Sequence, residues 1–170
     1  MADISERLIA EVLEASQSGT KLTIQGGNSK SFMGCNTVER QQSQMLNVGD
    51  HSGIVNYQPV ELVLTARAGT SLDEIEKTLD ENDQMLAFEP PHFGENDTLG
   101  GTLACNLSGP TRPWGGSIRD HVLGVRLING KAEHLRFGGQ VMKNVAGYDV
   151  SRLQAGAMGT LGVITEISLK

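Results

Sequence analysis

The chain has 170 residues, 38% of them apolar and 21 of them glycine, with a net charge of −6 and a pI near 5.2. That length fits one domain spanning residues 1–170, large enough to bury about two-thirds of its extended-chain surface, and the acidic balance argues against nucleic acid, which needs a basic face. Two cysteines far apart, Cys35 and Cys105, do not make a disulfide framework, the start is too acidic for a signal peptide, and no apolar run reaches membrane-spanning length, so a soluble cytoplasmic protein is expected.

From about Ile4 to Ser16, Ile4, Leu8, Val12 and Ala15 fall on one helical face, and Gly19 marks a stop. Lys21–Gln25 alternates as a strand and runs directly into Gly26-Gly27-Asn28-Ser29-Lys30. Between Cys35 and Ser52 the signal is polar and weak, a loop with one short strand near Met45–Val48. Gly53–Tyr57 and Glu61–Arg67 are β-rich runs separated by Pro59. Ser71 with Glu74 three residues on forms a capping box for a helix carrying Leu72, Ile75 and Leu79.

Met85–Phe88 is apolar and ends at Pro90-Pro91, and residues 98–106 form a short, tightly packed helix. Val122–Ile128 is a strand, with Asn129-Gly130 as a hairpin turn into Glu133–Phe137. Asp149 caps one or two helical turns, and Leu161–Leu169 is a last strand. Strands and helices interleave without clean βαβ repeats, so the class is α+β.

Glycine gathers in three clusters: Gly26-Gly27, then Gly100-Gly101 continuing to Gly116, then Gly156, Gly159 and Gly162. Glycine admits positive φ and leaves peptide N–H groups open to close approach, so three such places point to a long phosphate-bearing ligand held mainly by main chain. An ordinary turn explains any one cluster equally well. The third cluster has dinucleotide-like spacing, but its glycines precede a strand and open no helix, which disfavours a Rossmann site.

Taken together, Ile24–Ser29, Ala66–Thr70, Thr98–Ala104 and Gly159–Glu166 resemble the FAD-binding domain of the vanillyl-alcohol oxidase and p-cresol methylhydroxylase (PCMH-type) flavoprotein family. Glu89–Gly94, Gly109–Trp114 and Leu135–Asp149 are further similar to the FAD-binding E subunits of bacterial glycolate oxidases. The resemblance implies two small α/β subdomains. It implies Gly26, Gly27, Asn28 and Ser29 on the FAD pyrophosphate, with Thr98, Gly100, Gly101 and Thr102 continuing that cradle towards the ribityl chain and flavin. Gly162, Val163 and Ile164 would line the adenine side, the Ile164 backbone against the purine edge.

Some family members attach flavin to a histidine at the end of the Gly-Gly turn; Asn28 stands there instead, so FAD is expected to be noncovalent. Cys105 reads as a buried compact hydrophobe rather than a thioether link. His51, His92, His121 and His134 lack metal-ligand spacing and no metal is expected, while His92, on the loop before the cradle, is the one histidine with a possible flavin-facing role. Arg112 and Trp114 read as a stacked structural pair or as an approach to the flavin or a partner. Lys30 reads as a solvated turn residue, and Lys143-Asn144 as structural.

The implied function is a FAD-binding subunit of a glycolate (2-hydroxy acid) oxidase complex, not active alone. Its flavin accepts hydride and passes electrons to partners, a homologous flavoprotein subunit and an iron-sulfur subunit, which would also bring it to the inner membrane as a peripheral protein. The last predicted strand ends at Leu169, directly before Lys170, so no cap domain is expected within these residues, and no catalytic base is identified. The competing reading is a non-catalytic assembly subunit with structural FAD or none.

Overall fold

Leu8, Val12 and Ala15 recur at helical spacing and are buried on one face of α1 (Ser5–Ser18), which Gly19 ends in the left-handed region at φ 70°. The computed structural model describes residues 3–34, 42–139 and 147–170. Helix α1 leads into β1 (Leu22–Gln25), which pairs in parallel with β2 (Gln44–Asn47) so that Ile24 lies beside Leu46. Leu8 and Val12 close a small core with Leu46, Val48, Ile128 and Val163, which fastens this ribbon to the end of the larger sheet.

That sheet is antiparallel, in the order β3-β4-β7-β5-β6, from β3 (Ile54–Gln58), β4 (Val63–Arg67), β5 (Val122–Ile128), β6 (His134–Gly138) and β7 (Val163–Leu169). The last strand, β7, is central: Ile167 has Ala66 on one side and Val125 on the other. Burial along it is nearly continuous, as expected of a strand paired on both edges. The helices are α2 (Leu72–Asp80), α3 (Leu99–Cys105), α4 (Arg112–Gly115), α5 (Ile118–His121) and α6 (Val150–Leu153). Leu72, Ile75, Leu99, Leu103 and Ile118 from α2, α3 and α5 are all fully buried in one core with Ile167 and Phe88. Each such side chain contributes roughly 1.5–3 kcal/mol of transfer free energy, so this face holds the domain together.

Ser71 caps α2, its Oγ accepting the Glu74 N–H at 3.1 Å, and Asp149 caps α6 by accepting the Arg152 N–H at 3.0 Å. Two local expectations are corrected. Asn129-Gly130 is not a two-residue hairpin turn: Asn129 N–H donates to Glu133 O at 3.1 Å, and Asn129 Oδ1 accepts the N–H groups of Lys131 and Glu133. The left-handed residue of that loop is Ala132, at φ 60°, and the asparagine side chain supplies the turn. The terminal strand begins at Val163 rather than Leu161 because Gly162 takes φ 153°. Cys35, Lys143 and Asn144 lie outside the described residues.

Candidate functional site

The three glycine clusters meet at one cleft of about 570 Å³ between the β1–β2 ribbon, α3 and the start of β7. Gly26, Gly27, Asn28 and Ser29 line it from the turn after β1. Thr98, Gly100 and Gly101 line it from the start of α3, and Gly159, Gly162 and Ile164 from the approach to β7. Two expected residues stand behind the wall instead. Thr102 is fully buried with its Oγ1 donating to Thr98 O at 3.0 Å, and Val163 is buried in the small core beneath α1.

The first turn offers donors. Gln25 O accepts the Val48 N–H at 2.8 Å, ending the ribbon, and Asn28 then takes φ 60°. The backbone N–H groups of Gly27, Asn28, Ser29 and Lys30 have no acceptor among the described residues. Four consecutive open donors in a cleft wall are an anion nest. Gly27 itself is required by the protein: a Cβ there would sit 1.5 Å from Asn96 O. The turn is thereby pressed against the residues that lead into α3.

In the second cluster the N–H groups of the first helical residues are spent within the protein. Leu99 N–H is spent on Thr70 O at 3.0 Å, Gly100 N–H on Ala68 O at 2.8 Å and Gly101 N–H on Thr98 Oγ1 at 3.2 Å. Thr98, Gly100 and Gly101 thus continue the cleft wall as expected in position, with the N–H groups of Gly100 and Gly101 already bonded. At Gly100 a Cβ would come 2.8 Å from Ala68 O, so that glycine serves packing. At Gly101 a Cβ would meet only Thr98 Oγ1, at 3.1 Å, and would otherwise project into open space.

The third wall opens where β4 leaves β7. Ala68 N–H donates to Thr165 O at 2.8 Å, and β4 pairing reaches no nearer than Glu166, while Ile164 is paired with Leu127 on the other side. Open N–H donors, a glycine whose Cβ would project into the cleft and a mixed apolar lining suit a dinucleotide cofactor with a diphosphate.

The sequence reading missed a buried ionic cluster in the same wall. Lys30 is not a solvated turn residue: it is 7% exposed, lines the cleft and is ion-paired with Asp97, which is 2% exposed. Its Nζ also donates to Ser29 Oγ at 3.2 Å, Ser29 Oγ donates to Asp97, and Asp97 accepts the Phe93 N–H. Burial pushes the Asp97 carboxyl up, but bonds from Lys30, Ser29 and Phe93 and the Lys30 charge outweigh it and hold the carboxyl below its ordinary value. The nearby Phe93 ring lies 5.6 Å from the ammonium and packs edge-on against Phe32. Residues 30 and 97 are joined only by the fold, and the Gly-Gly signals beside them gave no hint of a charge pair.

Cys105 also departs from expectation: it lines the cleft and is partly exposed, a free thiol. Burial raises its pKa against the opposing Lys30 charge, so the thiol stays protonated. His92, on the loop before α3, packs against α2 rather than facing the cleft, its Nε2 3.1 Å from Glu76 Oε1 and its Nδ1 3.5 Å from Asp73 Oδ1. Those three groups are close enough to share a cation, but both ring nitrogens already face carboxylates on an exposed surface. Trp114, 85% exposed on α4, does not line the cleft.

Residues 2–138 match a family model described as FAD binding domain. Over 168 residues the chain is 56% identical to glycolate oxidase subunit GlcE of Escherichia coli, covering 99% of this chain and 47% of that protein. It is 30% identical over 154 residues to glycolate oxidase subunit GlcD of Bacillus subtilis, covering 90% of this chain and 30% of that one. Among solved structures, alkyldihydroxyacetonephosphate synthase superposes with a TM-score of 0.76 at 24% identity, over 97% of this chain and 29% of the other, which establishes a common fold. The chain thus spans about half the length of the GlcE relative and less than a third of the other two. With its two sheets, its cleft and these matches, the chain belongs to the FAD-binding domain family, of the p-cresol methylhydroxylase type, and FAD is its cofactor.

Proposed function

We propose that this chain is the FAD-holding part of a glycolate (2-hydroxy acid) oxidase or dehydrogenase complex. The observation that carries the proposal is the nest of open N–H groups at Gly27–Lys30, facing glycine-built walls, in a chain 56% identical to GlcE. Bound FAD supplies hydride acceptance from the 2-hydroxy acid and onward electron release, while the protein binds and orients it.

The residues divide that work. The N–H groups of the first turn, with Gly26, Gly27, Asn28 and Ser29, grip the diphosphate. Thr98, Gly100 and Gly101 keep the cleft open beside it, with Thr102 bracing Thr98 from behind. Gly162 and Ile164 border the adenine end, with Val163 anchoring that edge in the core. The cofactor is held without a covalent bond, since Asn28 has no ring nitrogen and the Cys105 thiol is protonated.

Among the described lining residues there is no histidine, arginine, aspartate or glutamate, and the one charged residue, Lys30, is paired with Asp97, so none presents a proton acceptor to a hydroxy acid. This supports a chain that is not active alone and draws substrate-facing groups from elsewhere in the assembly. A homologous flavoprotein subunit and an iron-sulfur subunit are the proposed partners, carrying electrons onward. No helix among the described residues is long and apolar enough to cross a membrane, and cytoplasmic placement with any membrane contact made through partners is part of the same proposal. The same lining also favours a second reading, an assembly subunit whose FAD is structural.

Visible spectra of the purified protein, alone and with its partner subunits, test both. Bleaching of the flavin by glycolate in the complex supports the redox role. Flavin that stays oxidised in an otherwise active complex supports the structural one. A colourless protein that FAD cannot reconstitute overturns both.

A further inference from the structure

We infer that Lys30 is the cation that neutralises the cofactor's diphosphate and that Asp97 is the positioning residue that holds its ammonium in the cleft wall. The inference rests on the FAD reading of the cleft and adds to it a charge recognition that the glycine turns alone do not supply.

The chain carries a net charge of −6, so its overall field repels a dianionic diphosphate. Backbone N–H groups bring partial charges only. Among the described lining residues Lys30 is the one that bears a charge. It is the last residue of the nest Gly27–Lys30, whose Gly27 packs against Asn96.

A lysine ammonium has three donors. Two are spent, on Asp97 Oδ1 and Ser29 Oγ, and the third has no acceptor among the described residues. The ion pair accounts for a lysine at this depth, because the Asp97 carboxylate offsets the desolvation of the ammonium. It also fixes the ammonium, since Asp97 is itself held by Ser29 and by the Phe93 N–H. A long flexible side chain is thereby presented with its rotamer cost met before the ligand arrives.

Binding of FAD, ADP and adenosine to the full chain tests this, with FAD followed by its fluorescence and the other two as competitors. Lys30→Met/Asp97→Asn removes both charges together, leaves no orphaned buried ion and is expected to melt near the wild type. Its FAD dissociation constant is expected to rise at least about tenfold, in line with loss of a charged hydrogen bond. ADP is expected to lose its advantage over adenosine by a similar factor, whereas a merely loosened cleft would weaken both alike. Asp97→Asn alone, which keeps the lysine but frees it, is expected to reduce the ADP advantage as well.

An unchanged ADP-to-adenosine ratio in the double variant overturns the assignment of Lys30, and an unchanged ratio in Asp97→Asn overturns that of Asp97. A wild-type chain that binds FAD but takes ADP and adenosine equally well overturns the charge recognition alone. A wild-type chain that binds no FAD overturns the reading of the cleft and this inference with it.

Discussion

Ile4 donates its backbone N–H to Nδ1 of the fully buried His51 at 3.1 Å, tying the start of α1 to the loop after β2. An imidazole that accepts at Nδ1 is neutral, with its proton on Nε2, and Nε2 has no partner among the described residues. Burial lowers the His51 pKa, with Asp3 opposing, and burial with the Arg126 charge lowers that of His134, which is 2.9 Å from Thr165 Oγ1. A histidine whose folded pKa is depressed gives stability that is fully present above the unfolded value of 6.5 and is lost as pH falls from there towards the folded pKa. Asp97 and Asp120 have lowered carboxyl pKa values, and their contribution is lost only as pH falls below the ordinary 3.8. Thermal melts between pH 7.5 and 5 should therefore show a decline assignable to the histidines, and His51→Gln should flatten it. A pH-independent melting temperature across that range would refute the assignment.

Gly27 and Gly101 should answer substitution in opposite ways. Gly27→Ala drives a Cβ to within 1.5 Å of the Asn96 carbonyl oxygen, a backbone atom that cannot swing aside, and should cost about 3 kcal/mol or more in stability. Gly101→Val meets only Thr98 Oγ1, at 3.1 Å, and its helix propensity is no worse than glycine's, so the fold should hold to within about 1 kcal/mol. Its branch projects into the cleft and should abolish FAD retention. Urea melts paired with FAD titration separate the two effects. FAD affinity unchanged in Gly101→Val would remove α3 from the cofactor site.

Those two glycines show what the sequence could reveal. Glycine clusters are local signals, and each does form a turn or a tight helix start where expected. The direction of each missing Cβ is a tertiary fact: at Gly27 and Gly100 it faces neighbouring backbone, at Gly101 the cleft. Whether an N–H is open is equally non-local, because the donors of α3 are taken by Ala68 and Thr70, about thirty residues upstream by any reading of the helical pattern. Lys30 and Asp97, 67 apart in sequence, pair only once β1 and the approach to α3 are brought together. Periodicity located the strands and helices well because it reports burial of a face, and burial is what orders them.

Thr102 is a test of the boundary between cleft and core. Its hydroxyl is used on Thr98 O and the side chain is fully buried, so Thr102→Val removes one hydrogen bond without changing shape. The expected cost is about 1 kcal/mol, or roughly 2–4 °C in melting temperature for a chain of this size. FAD affinity should stay within about twofold, since the change leaves no new charge or volume at the cleft wall. A larger loss of FAD with an unchanged melting temperature would place Thr102 on the cofactor after all.

The mode of flavin attachment can be decided chemically. A thioether from Cys105 would need its thiolate, and burial holds this thiol protonated even with Lys30 nearby. Asn28, exposed at φ 60° in the first turn, offers an amide that is not nucleophilic. Acid precipitation of the holoprotein should therefore leave all the flavin in the supernatant, and Cys105→Ser should retain FAD as the wild type does. Because Cys105 lines the cleft, bound FAD should also slow its alkylation by maleimide relative to the apoprotein. Yellow precipitate that bleaches in Cys105→Ser would establish the covalent link, and equal alkylation rates with and without FAD would move the cofactor away from the end of α3.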